Sequence, residues 1–376
     1  MTECKLLIVD DDERQRQTIQ DAIREHNAGH SGEQDINFAS QQAGDLKQAI
    51  AHLESSDFDG AIVDLKLRST TEEAEGNTII KEIIKRRRFP VFVLSAFPDK
   101  LDEEFKIETD IFRIKERTKT KNEDLLLEMA SLLKTGISKL FGKDGELSRD
   151  IFGSLQEVFW RHVAYNWSHW NASLEDPKDR MRILTRYITD ILSRKLGLSN
   201  TGLLEAHVAE MYFVPPLCPH LYTGDILLRD SERYLILNPS CDLVPRDGGA
   251  IGADFILLSR LVPLQKNEKF KAYLESQSAK NRERIEPLIQ NKNMRYHYLP
   301  PYTQLEGFLV DFEDLFRVDK KEIGLYNRIA SVTEPFLKNI LARLTIYYSR
   351  LGQPDFNPAR LLSDLDSVAV TKKNTK

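Results

Sequence analysis

Over the first 135 residues, short apolar runs alternate with segments of helical periodicity. Lys5-Leu-Leu-Ile-Val9 is apolar and stops at three acids, Asp10, Asp11 and Asp12. Ile19 and Ile23 then fall four apart in a charged stretch from Arg14 to Glu25, the spacing of one helix face. Asn37-Phe-Ala is a weaker strand, and Leu46, Ile50 and Leu53 mark a helix behind it. Asp59-Gly-Ala-Ile-Val-Asp64 ends on an acid, as the first run does. Ile79, Ile80, Ile83 and Ile84 repeat at helical spacing, and Pro90-Val-Phe-Val-Leu-Ser95 is the next strand. A short irregular helix around Phe105 precedes a fifth strand, Asp110-Ile-Phe-Arg-Ile-Lys115, and a Leu-rich helix from Asn122 to Lys134. Such alternation predicts an α/β domain with a doubly wound, five-stranded parallel sheet. Ligands bind such sheets at the carboxyl ends of the strands. Asp10, Asp11, Asp64, Ser95 and Lys115 all fall there.

The pattern changes further on. Residues 136–147 are mixed and polar and are expected to link the first domain to a mixed α+β output domain over 148–376. Residues 148–196 are expected to be helical, with Phe159, Trp160, Tyr165, Trp167 and Trp170 as core between the linker helix and the output domain. Residues 212–310 are strand-rich, with Asp225-Ile-Leu-Leu and Tyr234-Leu-Ile-Leu as arms of a hairpin. A charged helix over 266–291, an extended stretch over 295–310 and a helix within 331–350 complete the expectation.

Composition narrows the classes. The 376 residues are 41% hydrophobic and 30% charged with a formal net charge of -5, which suits a globular chain and not a surface built throughout for nucleic acid. The densest basic run, Lys85-Arg-Arg-Arg88, sits at a predicted helix end, where cations suit the dipole. No helix-turn-helix with a basic recognition helix and no Gly-rich phosphate loop is evident. A protein partner is therefore expected ahead of DNA. No apolar run has membrane-spanning length, and the start lacks the layout of a secretory leader. Three cysteines, Cys4, Cys218 and Cys241, make no disulfide framework, so a cytoplasmic location is expected.

The strand-end residues form a coherent chemical set. A carboxylate that attacks a phosphoryl donor needs a divalent cation on the phosphoryl oxygens and fixed donors for the developing charge. Mg²⁺ takes oxygen ligands, with one or two carboxylates and retained waters. Asp10 and Asp11 can supply these, with Asp64 as nucleophile and ligand and the Lys66 backbone carbonyl completing the shell. The Ser95 hydroxyl can donate to a phosphoryl oxygen, and Lys115 is a point charge on its other side. Each position alone is ordinary, since an Asp pair commonly caps a helix. The combination is specific.

Leu-Leu-Ile-Val-Asp10-Asp11, Ala-Ile-Val-Asp64-Leu-Lys-Leu, Val-Leu-Ser95-Ala96 and Phe112-Arg-Ile-Lys115 resemble, in order and spacing, the response-regulator receiver family of two-component signalling. The resemblance covers about the first third of the chain. It implies a flavodoxin-like domain over 1–135 with Asp64 as phosphoacceptor and Mg²⁺ held by Asp10, Asp11 and Asp64. It also implies a switch hydroxyl at Ser95, a phosphate-sensing Lys115, an aromatic switch at Phe112 and a loop-closing Gly76. A histidine kinase or phosphotransfer protein would be the phosphodonor, and a homodimer is among the expected assemblies. Such a protein is a regulator more than an enzyme. Two departures stand out: Glu116 replaces the usual proline after Lys115, and the loop from Arg68 to Glu75 is long, acidic and without proline.

In the remainder, Cys241 beside Asp242 could be a nucleophile or metal ligand, joined by Cys218 and His220, but the doubled Cys-x-x-Cys spacing of zinc sites is missing. His297, in Arg295-Tyr-His-Tyr, is a second catalytic candidate with a structural role as default. The hairpin layout faintly resembles small SH3-like barrels, including toxin endoribonucleases. Two alternatives therefore stay open: a receiver-gated hydrolase or nuclease in residues 200–310 using Cys241, Asp242 and His297, and a pseudo-receiver adaptor whose Asp64 is never phosphorylated.

Overall fold

The computed structural model describes residues 2–29, 35–67, 75–106, 109–142, 145–173, 176–197, 206–246, 248–350 and 357–373. The long acidic loop that carries Glu72 and Glu73 lies outside them. Two compact units divide the chain, Met1–Leu203 and Leu204–Lys376.

The first unit begins with β1 (Thr2–Val9), α1 (Glu13–Gly29), β2 (Ile36–Ala43), α2 (Leu46–Ser55), β3 (Gly60–Val63), α3 (Glu75–Arg86), β4 (Val91–Ser95), β5 (Phe112–Glu116) and α4 (Asn122–Lys134). All pairings in the sheet are parallel and the order is β2-β1-β3-β4-β5. This is the flavodoxin-like order, with its switch point between β1 and β3. Period-two alternation sends Leu7, Val9, Val63 and Val93 to one face, against Ile79, Ile80 and Ile83 of α3. Leu6, Ile8, Ile62 and Leu94 go to the other, against Ile19 and Ile23 of α1 and Leu125 and Met129 of α4. Central strands covered on both faces read as continuous apolar runs, which is why the sequence exposed them.

The connection between β4 and β5 departs from regular alternation. Its helical content among the described residues is two single 3₁₀ turns, Pro98–Lys100 and Glu103–Phe105. Among the described residues no long helix lies in this connection. A groove of about 540 Å³ opens there, lined by Ile84, Phe105, Ile111, Phe112 and Phe141. Gly76 marks the opposite extreme of packing: a Cβ there would stand 2.4 Å from the Asp64 carbonyl oxygen and 2.5 Å from Leu65 Cα. Only glycine lets α3 start so close to the end of β3.

Beyond α4 the chain stays helical: α5 (Ile137–Phe141), α6 (Glu146–Val158), a π-helical turn (Phe159–Ala164), α7 (Trp167–Ser173) and α8 (Pro177–Leu196). The stretch expected as linker opens with α5, held to the sheet domain by Ser138 Oγ donating to Asp59 O (3.2 Å) and Arg88 Nε to Phe141 O (3.2 Å). The first compact unit extends to Leu203, and within it α5, α6 and α8 pack in series. The aromatic group expected as core is largely exposed: Trp160 is 71% and Tyr165 85% accessible, while Trp170 packs on Tyr187. None of the residues of α8 is buried, although Ile183, Leu184, Tyr187, Ile188, Ile191 and Leu192 form one apolar stripe.

The second unit comprises β6 (Tyr212–Phe213), β7 (Asp225–Arg229), β8 (Glu232–Ile236), α9 (Ser240–Leu243), β9 (Phe255–Pro263), α10 (Glu268–Glu275), α11 (Ala279–Ile289), β10 (Tyr296–Leu299), β11 (Phe308–Asp319), β12 (Asn327–Val332), α12 (Glu334–Ser349) and α13 (Pro358–Lys373). The antiparallel sheet runs β10-β11-β9-β8-β7-β12-β6, seven strands where a small SH3-like barrel was the analogy. The β7–β8 hairpin turns on Asp230 and Ser231, with φ of 49° and 67°, the two-residue turn whose twist suits the strands. The charged helix expected over 266–291 is two, because the Ser278 side chain caps a fresh start at α11. Leu337 and Ile340 of α12 cover one face with Ile226, Leu235 and Phe312. Leu227, Ile236 and Leu258 form a second core with Leu243 of α9.

Candidate functional site

Asp10 follows β1, Asp64 follows β3 and Ser95 ends β4, at the carboxyl edge of the parallel sheet. The carboxylates of Asp10, Asp11 and Asp64 each offer an oxygen within 4.8 Å of the others, and this is the one such metal-holding group of acids, histidines and cysteines among the described residues. Beside them opens a polar cavity of about 410 Å³, to which Asp11, Asp64, Lys66 and Ser95 contribute. Asp10 is 2% exposed and accepts the Asp12 backbone N–H (2.9 Å). Burial holds its carboxyl above the usual range, against the opposing pull of Arg117. Asp64 keeps 14% of its side chain accessible, and its hydrogen bond from the Lys66 backbone N–H is long at 3.4 Å. An oxygen-only donor set with a half-open carboxylate matches a hard divalent cation such as Mg²⁺.

Ser95 is fully buried, and its Oγ accepts the Phe97 N–H at 3.3 Å. No protein acceptor takes its hydroxyl hydrogen among the described residues, so that donor remains to be used. Phe112 lies half-buried beside Phe105 and Ile114, with its ring at the apolar groove and its N–H bonded to Thr109 Oγ1 (2.9 Å).

Lys115 lies elsewhere. Its ammonium donates to Glu128 Oε1 of α4 at 2.9 Å, and Arg113 reaches the same carboxylate at 2.8 Å. Burial pulls the Glu128 carboxyl up, but the hydrogen bonds and charges of Lys115 and Arg113 outweigh it and hold it below its ordinary range. The cation in the acidic pocket is Arg117. Its guanidinium pairs with Asp10, stands 3.5 Å from Asp64, and donates to Leu94 O (3.0 Å) and Gln15 Oε1 (3.1 Å). Residues 113 and 115 share a sheet face by strand alternation, and the chain leaves β5 at Glu116, where proline was the family expectation. That turn carries residue 117 over the strand ends, while Glu128 claims residue 115. The one signal in the sequence was an arginine two positions past the lysine.

The candidates of the second unit are not assembled. His297 on β10 pairs through Val310 and Leu261 to Arg233, three strands away on β8, roughly 14 Å at the usual strand spacing. Cys241 lies eight residues further along the chain than Arg233, in α9. It is exposed, its thiol 3.7 Å from Asp242 Oδ1. His297 is 3% exposed and Arg343 contacts its Nδ1 (3.1 Å). Burial, helped by the Arg343 charge, pushes the imidazole down to about 3, so it is neutral and inert as a proton carrier near pH 7. Cys218, His220 and Cys241 form no metal-holding group among the described residues.

Neither a family model nor a curated protein matches the sequence. Solved structures do. The chain is similar to the receiver domain of a Francisella response regulator (22% identity, 35% of this chain and 98% of that one, TM-score 0.27). It is similar to the signal receiver domain of an HD-domain-containing protein from Pseudomonas fluorescens (20% identity, 36% and 98%, TM-score 0.28). A Thermotoga maritima response regulator in complex with Mg²⁺-BeF is a further neighbour (18% identity, 35% and 99%, TM-score 0.25). The first two of these are receiver domains and the third is a response regulator, and each match covers 35–36% of this chain.

Proposed function

We propose that residues 1–135 form a receiver that accepts a phosphoryl group on Asp64, and that the rest of the chain, or a protein bound to it, reads the result. The observation that carries this is the joining of three acids and the Ser95 hydroxyl at one sheet edge, with Asp64 half-open to a cavity. An Asp64 oxygen bonds to phosphorus as the bond from phosphorus to the donor's imidazole nitrogen breaks, and the electron pair leaves with that nitrogen, which takes up a proton. Mg²⁺, held by Asp10, Asp11 and Asp64 with the Lys66 carbonyl, would neutralise the phosphoryl oxygens. Ser95 donates its unused hydroxyl hydrogen to the modified group, and Phe112 moves in the space of the adjoining groove. A histidine kinase or phosphotransfer protein is the donor.

The assembly we infer is a homodimer through α6 and α8. Two antiparallel helices bury an apolar stripe only against another layer, and two hairpins supply each other with one. The 20-residue α8 is roughly 30 Å long and the 13-residue α6 roughly 20 Å, each about 10 Å wide, so the joined faces bury on the order of 1,000 Å² in total, the threshold of a specific interface.

Purified chain and Asp64→Ala, each incubated with acetyl phosphate and Mg²⁺, would be compared by intact mass and sedimentation. A gain of one phosphoryl group in wild type alone, on a dimeric species, is expected. Absence of labelling, and of any response to beryllofluoride, would leave the adaptor alternative; a monomer at all concentrations would remove the hairpin dimer.

A further inference from the structure

Arg117 is an unusual occupant for a pocket that must hold both a divalent cation and a phosphoryl group. Three carboxylates offer oxygens within 4.8 Å of one another in a site where Asp10 is 2% exposed, so a guanidinium among them stands where a divalent cation would. Arg117 supplies that guanidinium from within the chain, pairing with Asp10 and standing 3.5 Å from Asp64, with its side chain 18% accessible. Its backbone N–H is fixed to Ser95 O (2.9 Å), so the residue is anchored at the end of β4. Lys115 is diverted to Glu128.

We propose that Arg117 is the resident cation of the pocket: it competes with the divalent cation for Asp10 and Asp64 in the resting chain, and turns to the phosphoryl oxygens once Asp64 is modified. The second half rests on the phosphoacceptor assignment above; the first does not. A guanidinium presents a planar fork that fits phosphoryl oxygens bidentately, which a carboxylate pair plus one carbonyl does not saturate. Turning toward them gives up the bonds to Leu94 O and Gln15 Oε1. The state of Asp64 is thereby passed to the end of β4, next to Ser95, and to the first turns of α1. The same contacts make cation binding weaker than three carboxylates alone would give, so the pocket is set to respond at high free Mg²⁺.

The test uses the full chain. Mg²⁺ alone is titrated calorimetrically at pH 7 into wild type, Arg117→Gln, Arg117→Lys and Lys115→Gln. Removing a neighbouring unit charge should raise Mg²⁺ affinity about 10-fold in Arg117→Gln, with a smaller rise in Arg117→Lys and less than about 2-fold in Lys115→Gln. If Arg117→Gln does not fold by circular dichroism, Arg117→Lys decides alone, and an affinity no higher than wild type overturns the competition. A rise in Lys115→Gln that equals or exceeds that of Arg117→Gln also overturns it, since the operative cation would then be Lys115. In a second arm, chain labelled with acetyl phosphate is followed by intact mass, and the phosphoryl group should be lost about 5-fold faster from Arg117→Gln than from wild type. Equal lifetimes refute the second half. Wild type that never labels refutes the phosphoacceptor assignment instead, and the calorimetric arm still decides the first half.

Discussion

Asp64 and Asp225 both stand at the end of a strand beside an arginine, yet one is left half-open and the other is sealed. Asp225 is 0% exposed; its oxygens take Arg328 Nε (2.8 Å), Ser331 Oγ (2.5 Å) and the Tyr222 N–H (2.8 Å), and Arg328 goes on to bind Cys218 O. Three hydrogen bonds hold it inside the fold, from β12 and the segment before β7. Among the described residues Asp64 has one weak backbone bond and a guanidinium at 3.5 Å, with a cavity beside it. Buried polar groups in a finished network hold a structure together, and polar groups left with spare valences at a cavity are the ones available for chemistry. His297 with Arg343 belongs with Asp225 in this respect, although His297 was a catalytic candidate in the sequence.

The contrast can be broken most directly at Asp225. Asp225→Ala leaves Arg328 buried without its anion and is expected to destabilise the second unit by about 3–5 kcal/mol, read as a lower urea midpoint. A loss under about 1 kcal/mol would mean that the network is not the closed structural unit described. Next in size is an acid dependence from His297. Its folded value near 3 lies below the unfolded value, so the unfolded chain binds the extra proton and stability falls as pH drops from the unfolded value toward 3. Between pH 7 and pH 5 the loss should be about 2 kcal/mol, and the difference between wild type and His297→Gln across that range isolates it. The smallest effect is a pair. Ser331→Ala removes a bond to a buried carboxylate and should cost about 1.5 kcal/mol, whereas Ser95→Ala loses only the long contact to Phe97 and should cost less than about 0.5 kcal/mol. Equal costs in the two urea curves would erase the distinction between a closed and an open cluster.

Much of the parallel domain was legible because its central strands are buried on both faces and end in acids. The apolar runs ending at Asp10, Asp64 and Ser95 give the strand order its edge, and α4 runs from Asn122 to Lys134 as the periodicity indicates. The cation was harder to see. Whether Lys115 or Arg117 enters the pocket depends on Glu128, thirteen residues downstream, and on a turn that begins at Glu116 without a proline, and neither is a property of the strand itself. The antiparallel sheet was legible only at the β7–β8 hairpin, where turn and arms are contiguous. Its strand order rests on pairings between distant segments, such as β7 with β12, which no local pattern encodes. The aromatic residues near Trp160 show the limit of composition: they signal a surface that must be covered, but not what covers it.

The missing helix between β4 and β5 has a further consequence for the sheet. β1, β3 and β4 are buried along most of their length, but every residue of β5 is only half-covered. An edge strand with a groove on one side and an ion pair on the other is the part of the sheet that opens with least free energy, as a local unit and without global unfolding. Phe112 begins that strand, and Arg117 is the first residue beyond its end. The first unit therefore has Phe112 on its half-covered edge strand and Arg117 directly after it.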